Sequence, residues 1–386
     1  MGYDFTAQDV GYLLSPDGAL ALAEVDRFEL TSRTRLADIG RARTRFGDRA
    51  AMLVETVLLR RKAIGKLPGS GGWLFTDEAL QQATPSVVAR HRARRLAGRS
   101  VHDVTCSVGA ELAALSETAS VVLGSDLDAV RLRMAAHNVP AVAVARADAL
   151  APCSRGTVVV ADPARRAGGR RTFDPAQLQP PLPDLVSVYR SRDLVVKCAP
   201  GLDFDALAWD GEVEVTSLSG GVREACLWSR DLAEPGVTRR ASVLAADGTG
   251  WTVTDAEPDD IPERAPGQWI VDPDGAVVRA GLVRQYAARH GLWQLDPQIA
   301  YLTGDTVPAG VRGFRVLERI KFSEKVLRQE LARLDCGSVE ILVRGVDIDP
   351  AVLRPRLKLK GTRAYSVIVT RIGRAGVAFV CAPPTV

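Results

Sequence analysis

Four aspartates, Asp103, Asp126, Asp148 and Asp162, each follow a short apolar run. The first opens Asp103-Val104-Thr105-Cys106-Ser107-Val108-Gly109. This pattern reads as a strand that ends near Asp103, turns on Gly109 and opens a helix. A second apolar run, from Ala119 to Gly124, delivers Asp126 23 residues after Asp103. That separation suits one strand-helix-strand unit with an acid at the tip of its second strand. Such an acid can accept hydrogen bonds from both ribose hydroxyls of a nucleoside. The turn lacks the three glycines that let a backbone crowd a pyrophosphate. A carboxylate before a single-glycine turn suits a nucleoside cofactor with no phosphates and a positive centre, and S-adenosylmethionine has that chemistry. On this reading Asp103, Thr105, Cys106 and Gly109 face the methionine end, Asp126 the ribose and Asp148 the adenine amine. An acid at a strand end is also a common helix N-cap, so the sequence leaves that alternative open for each.

Asp162-Pro163-Ala164-Arg165 sits where such a fold presents its reacting loop. Enzymes that methylate exocyclic amines of bases carry Asp or Asn, two prolines and an aromatic there; the acid or amide accepts from the amine, and the aromatic stacks on the extruded base. Here Arg165 replaces the aromatic, with Arg166, Arg170 and Arg171 beyond it. Arginine can stack on a base or grip a phosphate, but it does not recreate that motif, which argues against standard amino-adenine methylation. Asp162, Pro163 and Arg165 form the candidate catalytic group, with Asp162 as acceptor or base. The plainer alternative is that Asp162-Pro163 only shapes a turn. Cys198 reads either as a nucleophilic thiolate favoured by neighbouring Lys197 or as an ordinary core cysteine.

These groups need a scaffold. Val101–Val104, Val121–Ser125, Ala141–Ala145, Thr157–Ala161 and Asp193–Lys197 read as strands alternating with helices. The acids then fall along the carboxyl edge, where open parallel sheets bind ligands. Glu212–Ser217 and Ala225–Ser229 are expected to close the sheet as a pair. Residues 1–66 read as helical from the spacing of Leu20, Ala23 and Phe28, and of Leu53, Val54, Val57, Leu58 and Ile64. Thr84-Pro85 is expected to cap a helix carrying Arg90, His91, Arg92, Arg94 and Arg95. Further on, Asp247-Gly248 signals a hairpin, and Val277–Arg289 reads as one helix. A small α/β unit follows: strand Gly313–Leu317, helix Ser323–Leu334, strands Val339–Val343 and Ser366–Arg371. Leu353–Lys360 alternates cations with apolar residues and reads as a strand with a basic face.

The 386 residues are 46% apolar and 25% charged, values ordinary for a soluble globular protein. No apolar run is long enough to span a membrane, and the first residues lack the features of a secretion signal. Six cysteines without Cys-x-x-Cys spacing and four histidines argue against a metal site and for reduced thiols in a cytoplasm. Residues 1–100 carry 16 basic and 11 acidic side chains, residues 101–300 carry 19 and 27, and residues 301–386 carry 15 and 8. An acidic middle suits a cationic cofactor, and basic ends suit a polyanion such as RNA. Arg92, Arg95, Arg356, Lys358 and Lys360 are the candidate phosphate contacts. Solvated surface is the bland alternative for each.

The chain resembles a bacterial family of class I S-adenosylmethionine-dependent methyltransferases with a THUMP-like domain at the C-terminus. The resemblance covers nearly the whole length. It rests on Leu14-Ser15-Pro16-Asp17-Gly18, on the run from Phe75 to Thr84, on Val88 to Ala93 and on Asp103 to Gly109. It continues through Ala161 to Arg166, Val196 to Leu202 and Leu295 to Thr303. It implies an α/β fold: a Rossmann-like methyltransferase core (96–235) with an N-terminal helical region (1–95), a ferredoxin-like segment (236–310) and a THUMP-like α+β domain (311–386). The family usually has a second glycine where this chain has Ala110-Glu111, so individual turn contacts carry over less securely. With the basic ends, the resemblance leads to an expected methyltransferase acting on tRNA or rRNA. A small-molecule or protein methyltransferase and a catalytically silent RNA-binding protein are the alternatives.

Overall fold

A computed structural model describes residues 2–384 except 165, 168, 169, 172 and 173, and except the side chains of 166, 167, 170 and 171. The chain divides into two compact units. One comprises residues 1–219, 223–234 and 244–250; the other comprises 220–222, 235–243 and 251–386.

The first unit begins with α1 (Ala7–Leu13), α2 (Pro16–Val25), α3 (Arg35–Phe46) and α4 (Ala50–Ala63). Thr6 and Asp9 form a reciprocal cap on α1, and Ser15 caps α2 with Pro16 in its first turn. Their buried faces, including Val10, Leu22, Leu53 and Val57, share a core with Val108 and Met134 of the α/β layer that follows. Leu20 and Ile64, counted in the helical spacing, are 72% and 56% exposed. Next come α5 (Asp77–Gln82) and α6 (Ser86–Arg95). The expected cap by Thr84 is not made: its hydroxyl donates to Glu224 at 3.2 Å, and Pro85 precedes α6 without a side-chain cap.

Five parallel strands follow: β1 (Ser100–Asp103), β2 (Val121–Asp126), β3 (Ala143–Arg146), β4 (Val158–Ala161) and β5 (Leu194–Cys198). The helices α7 (Ala110–Leu115), α8 (Ala129–Asn138) and α9 (Leu182–Val188) lie between them in sequence. β4 and β5 are buried at every residue, as strands covered on both faces must be. β6 (Gly211–Leu218) and β7 (Gly221–Ser229) extend the order to 3-2-1-4-5-7-6, with β7 antiparallel to β5. The order reverses between β1 and β4. That switch point opens the crevice in which such sheets hold ligands.

β8 (Arg239–Leu244) and β9 (Gly250–Thr254), which fall mostly in the second unit, flank the turn at Asp247-Gly248, where Gly248 takes φ +85°. A seven-stranded sheet follows, of β10 (Trp269–Val271), β11 (Trp293–Asp296), β12 (Ile299–Gly304), β13 (Gly313–Lys321), β14 (Cys336–Val343), β15 (Arg363–Ile372) and β16 (Ala375–Cys381). It runs unbroken across position 310, because β10 pairs with both β12 and β13. The helix read over Val277–Arg289 is two, α10 (Gly275–Ala280) and α11 (Val283–His290), parted at Gly281 in a left-handed conformation. α12 (Glu324–Arg333) and α13 (Pro350–Arg356) pack on the sheet through Leu327, Leu331 and Leu353. The strand expected over 353–360 is thus α13 and a turn. Asp349 caps Ala351 and Pro350 sits at the first turn, and this helix start outweighs the alternation that follows it. Arg356, Lys358 and Lys360 are exposed, but they form no strand row, and Arg356 pairs with Glu324 at 3.1 Å.

Two of the four arginines of α6 point inward. Arg92 is 2% exposed, bonds both carboxylate oxygens of Glu111 at 2.8 Å and also pairs with Glu224. Arg95 reaches Glu212 at 2.6 Å and Glu214 at 2.7 Å, and its guanidinium lies 3.7 Å from the Trp228 ring centroid. These two residues are therefore structural and not RNA contacts. Arg92→Met strands two buried carboxylates and is expected to lower stability by about 3–5 kcal/mol in urea unfolding. Arg94→Ala, at an exposed position of the same helix, should shift it by less than about 0.5 kcal/mol.

Candidate functional site

The chain leaves β1 at Asp103 and climbs through a tightly held turn. Val104 still pairs with Val160 of β4 (2.9 Å), and Cys106 pairs with Ser125 of β2 (3.0 Å). Ser107 and Gly109 take positive φ, +49° and +89°. A Cβ on Gly109 would also stand 3.1 Å from a Val139 methyl, so the expected glycine is required twice over. Asn138, which the sequence reading missed, holds the turn from below. Its amide accepts from Leu74 N–H and donates to the carbonyls of Leu74 and Val108.

The turn lines a cavity of about 720 Å³ that brings Asp103, Thr105, Cys106, Asp126, Asp148 and Asp162 together. Gln82, at the end of α5, and Ala83 and Thr84, in the connection to α6, form part of its wall; the sequence reading assigned none of them a part in the site. A larger hollow, about 1160 Å³, lies at the other edge of the sheet around Ser100, Val158 and Leu194. It faces the strands' amino ends, the wrong edge for this architecture.

The carboxylates are individually placed. Asp126, half-buried, accepts from Ser107 N–H and Asp128 N–H, both at 2.9 Å. The helix-cap alternative for Asp126 falls away because Asp128 caps α8, accepting from Val130 and Arg131. Asp148 is exposed at the rim and accepts from Leu150 N–H at 2.9 Å. Asp103 is buried and accepts from Thr105 N–H at 3.0 Å. Burial, with Glu111 and Asp162 adding like charge, pushes its carboxyl up to about 7 against the opposing pull of Thr105 N–H and Lys197. The Thr105 hydroxyl accepts from Asp162 N–H at 2.7 Å and lies 3.4 Å from Asp103 Oδ1, which ties the ends of β1 and β4 together. Cys106 lines the cavity through the turn backbone, because its side chain packs with Leu112, Leu132 and Val139.

Asp162 pairs with Lys197, a buried ammonium on β5. Burial alone would lower this lysine, but Asp162, Glu224 and Glu111 outweigh it and hold its pKa above the ordinary value. Pro163 is buried behind Asp162. Arg165 lies outside the described residues. Lys197 does not activate Cys198: successive strand residues leave on opposite faces, and the buried Cys198 thiol lies 3.8 Å from the Val196 carbonyl. Among the described residues, no cluster of three His, Cys, Asp or Glu could hold a metal, and no helix is long and apolar enough to cross a membrane.

The α/β sheet gathers acids around its switch point, and comparison with known proteins gives the family. Over 358 residues, 88% of this chain and 99% of theirs, the chain is 60% identical to uncharacterised S-adenosylmethionine-dependent methyltransferases of two Mycobacterium tuberculosis strains. A crystal structure of a candidate methyltransferase from Porphyromonas gingivalis W83 shares the fold at TM-score 0.73 and 19% identity, covering 99% of both chains. Residues 311–383 match the model of a THUMP domain-like family, and residues 6–63 match a domain of unknown function, DUF8688. The chain belongs to the S-adenosylmethionine-dependent methyltransferases. The expected Rossmann-like core, N-terminal helical region and THUMP-like end agree with these findings.

The geometry around Asp103 makes its titration a test of the site. A carbon-13 NMR titration of labelled aspartate should find Asp103 near 7. Because Lys197 lowers that value, Lys197→Met should move the midpoint upward.

Proposed function

We propose that this enzyme methylates RNA, holding S-adenosylmethionine at the switch-point cavity and presenting a tRNA or rRNA nucleotide to Asp162-Pro163. The observation that carries the reading is the convergence of Asp103, Asp126, Asp148 and Asp162 on one cavity of about 720 Å³. Its lining fits the cofactor in kind: carboxylates for a ligand with ammonium and sulfonium groups, and a turn with too few glycines for a pyrophosphate. When bound, S-adenosylmethionine supplies a methyl group open to in-line displacement. Asp103 and the 105–109 turn receive the methionine end, Asp126 the ribose hydroxyls and Asp148 the adenine amine. Asp162, held at one oxygen by Lys197, uses its other oxygen to accept from the reacting group and aim its lone pair.

RNA as substrate is supported by the THUMP-like match and by the basic balance of residues 301–386. The exposed Arg354, Arg356, Lys358 and Lys360 on and after α13 extend that basic character. Arg92 and Arg95 no longer contribute to it.

The test is transfer of tritiated methyl groups to RNA from a strain lacking the protein. Incorporation should fall about 100-fold or more in Asp162→Ala, and Asp126→Ala should weaken S-adenosylhomocysteine binding about tenfold. Affinity for that product should rise between pH 6 and pH 8, as Asp103, with its pKa near 7, becomes anionic toward the ligand ammonium. Label in protein or small molecules with none in RNA would assign the enzyme to those acceptors instead. Absence of cofactor binding by calorimetry would leave a silent RNA-binding protein.

A further inference from the structure

Past Asp162 a second hollow, of about 190 Å³, continues from the cofactor cavity; the two share Thr84, Asp162 and Lys197. Its wall adds Lys66, Pro163 and Arg223. The charges at its base are matched, Lys197 with Asp162 and Glu224 with Arg92. Those of the wall are not. Lys66 donates to the carbonyls of Leu80 and Gln81 at 2.9 and 3.0 Å, and Arg223 reaches the Leu218 carbonyl at 3.3 Å. Neither makes an ion pair among the described residues. Carbonyls satisfy donors without neutralising them, so positive potential is focused in a concavity with low-dielectric walls. Burial together with Lys197, Lys62 and Arg223 pushes the Lys66 ammonium down to about 8, with Asp162 pulling the other way. A cation held at that disadvantage gains from the approach of an anion.

We propose that this hollow seats the methyl acceptor and that Lys66 and Arg223 grip a phosphate group on it, so that the acceptor is a nucleotide and not a bare nucleoside or an amino-acid side chain. Asp162 stands at the border, lining both hollows with one oxygen on Lys197. The inference rests on the methyl-transfer reading and narrows its substrate. It would hold for a nucleotide within RNA and for a free one.

Calorimetric titration of the full-length protein, saturated with S-adenosylhomocysteine, with the four nucleoside monophosphates and the matching nucleosides tests it. At least one monophosphate should bind about tenfold more tightly than its nucleoside. Lys66→Met and Arg223→Ser should each remove most of that difference while leaving S-adenosylhomocysteine affinity intact, and Lys66→Arg should retain it. Arg223 is exposed, so Arg223→Ser remains decisive if Lys66→Met folds poorly. Equal affinity for monophosphate and nucleoside, no monophosphate binding, or a preference untouched by both substitutions would overturn the proposal. RNA methylation without the preference would sink the phosphate grip alone; the preference without RNA methylation would sink the RNA reading alone.

Discussion

A buried ammonium under the cavity floor is the constraint on which the site depends. Lys197 lies in a strand buried at every position, and an unpaired charge there would cost several kcal/mol. It is tolerated because Asp162 pairs with it from the end of β4 and because Glu224 and Glu111 add negative potential. Those glutamates are in turn held by Arg92 of α6. Two cations and three carboxylates thus form one largely buried network joining α6, α7, β5 and β7 to the residue that follows β4. Breaking it anywhere leaves a charge in low dielectric, so the network fixes Asp162 more firmly than a loop residue would otherwise be held. Thr105 extends this control to Asp103 by accepting from the Asp162 backbone.

The same network explains why a helix that looks basic along its length is not a polyanion surface. Arg92 and Arg95 face carboxylates on α7, β6 and β7, and only residues such as Arg94 are left to solvent. Counting charge by segment assigned a net balance to residues 1–100. It could not show that Glu111 on α7 and, more than a hundred residues later, Glu212, Glu214 and Glu224 on strands would match them.

What the sequence made legible was local. The five parallel strands, the turn at Gly109 and the acids beyond the strand ends follow from apolar runs and short spacings, which act over one strand-helix-strand unit. Misreadings came where two local signals competed, or where the partner was distant. At 350–360 a capped, proline-led helix start won over basic-apolar alternation; at 281 a glycine divided an otherwise continuous helical pattern. Thr84 carried a cap signature but bonds Glu224, and Asn138 and Lys66 act through backbone carbonyls remote in sequence. No single-residue type announces such a contact, because it exists only once the elements have packed.

On the proposed reading, the charges sort two ligands of opposite sign. The cofactor cavity is lined by carboxylates, and the smaller hollow beyond it gains Lys66 and Arg223, with the Asp162–Lys197 pair at the boundary. A cationic methyl donor in the wrong chamber would meet the unpaired cations, and an anionic acceptor in the cavity would meet Asp103 and Asp126. Each misplacement is opposed by charge in a concave site, which focuses such interactions. The product of transfer keeps its ammonium but lacks the sulfonium charge, so its attraction to the acid-lined side weakens. The arrangement that orients the two reactants therefore also favours release of the spent donor, without any moving part.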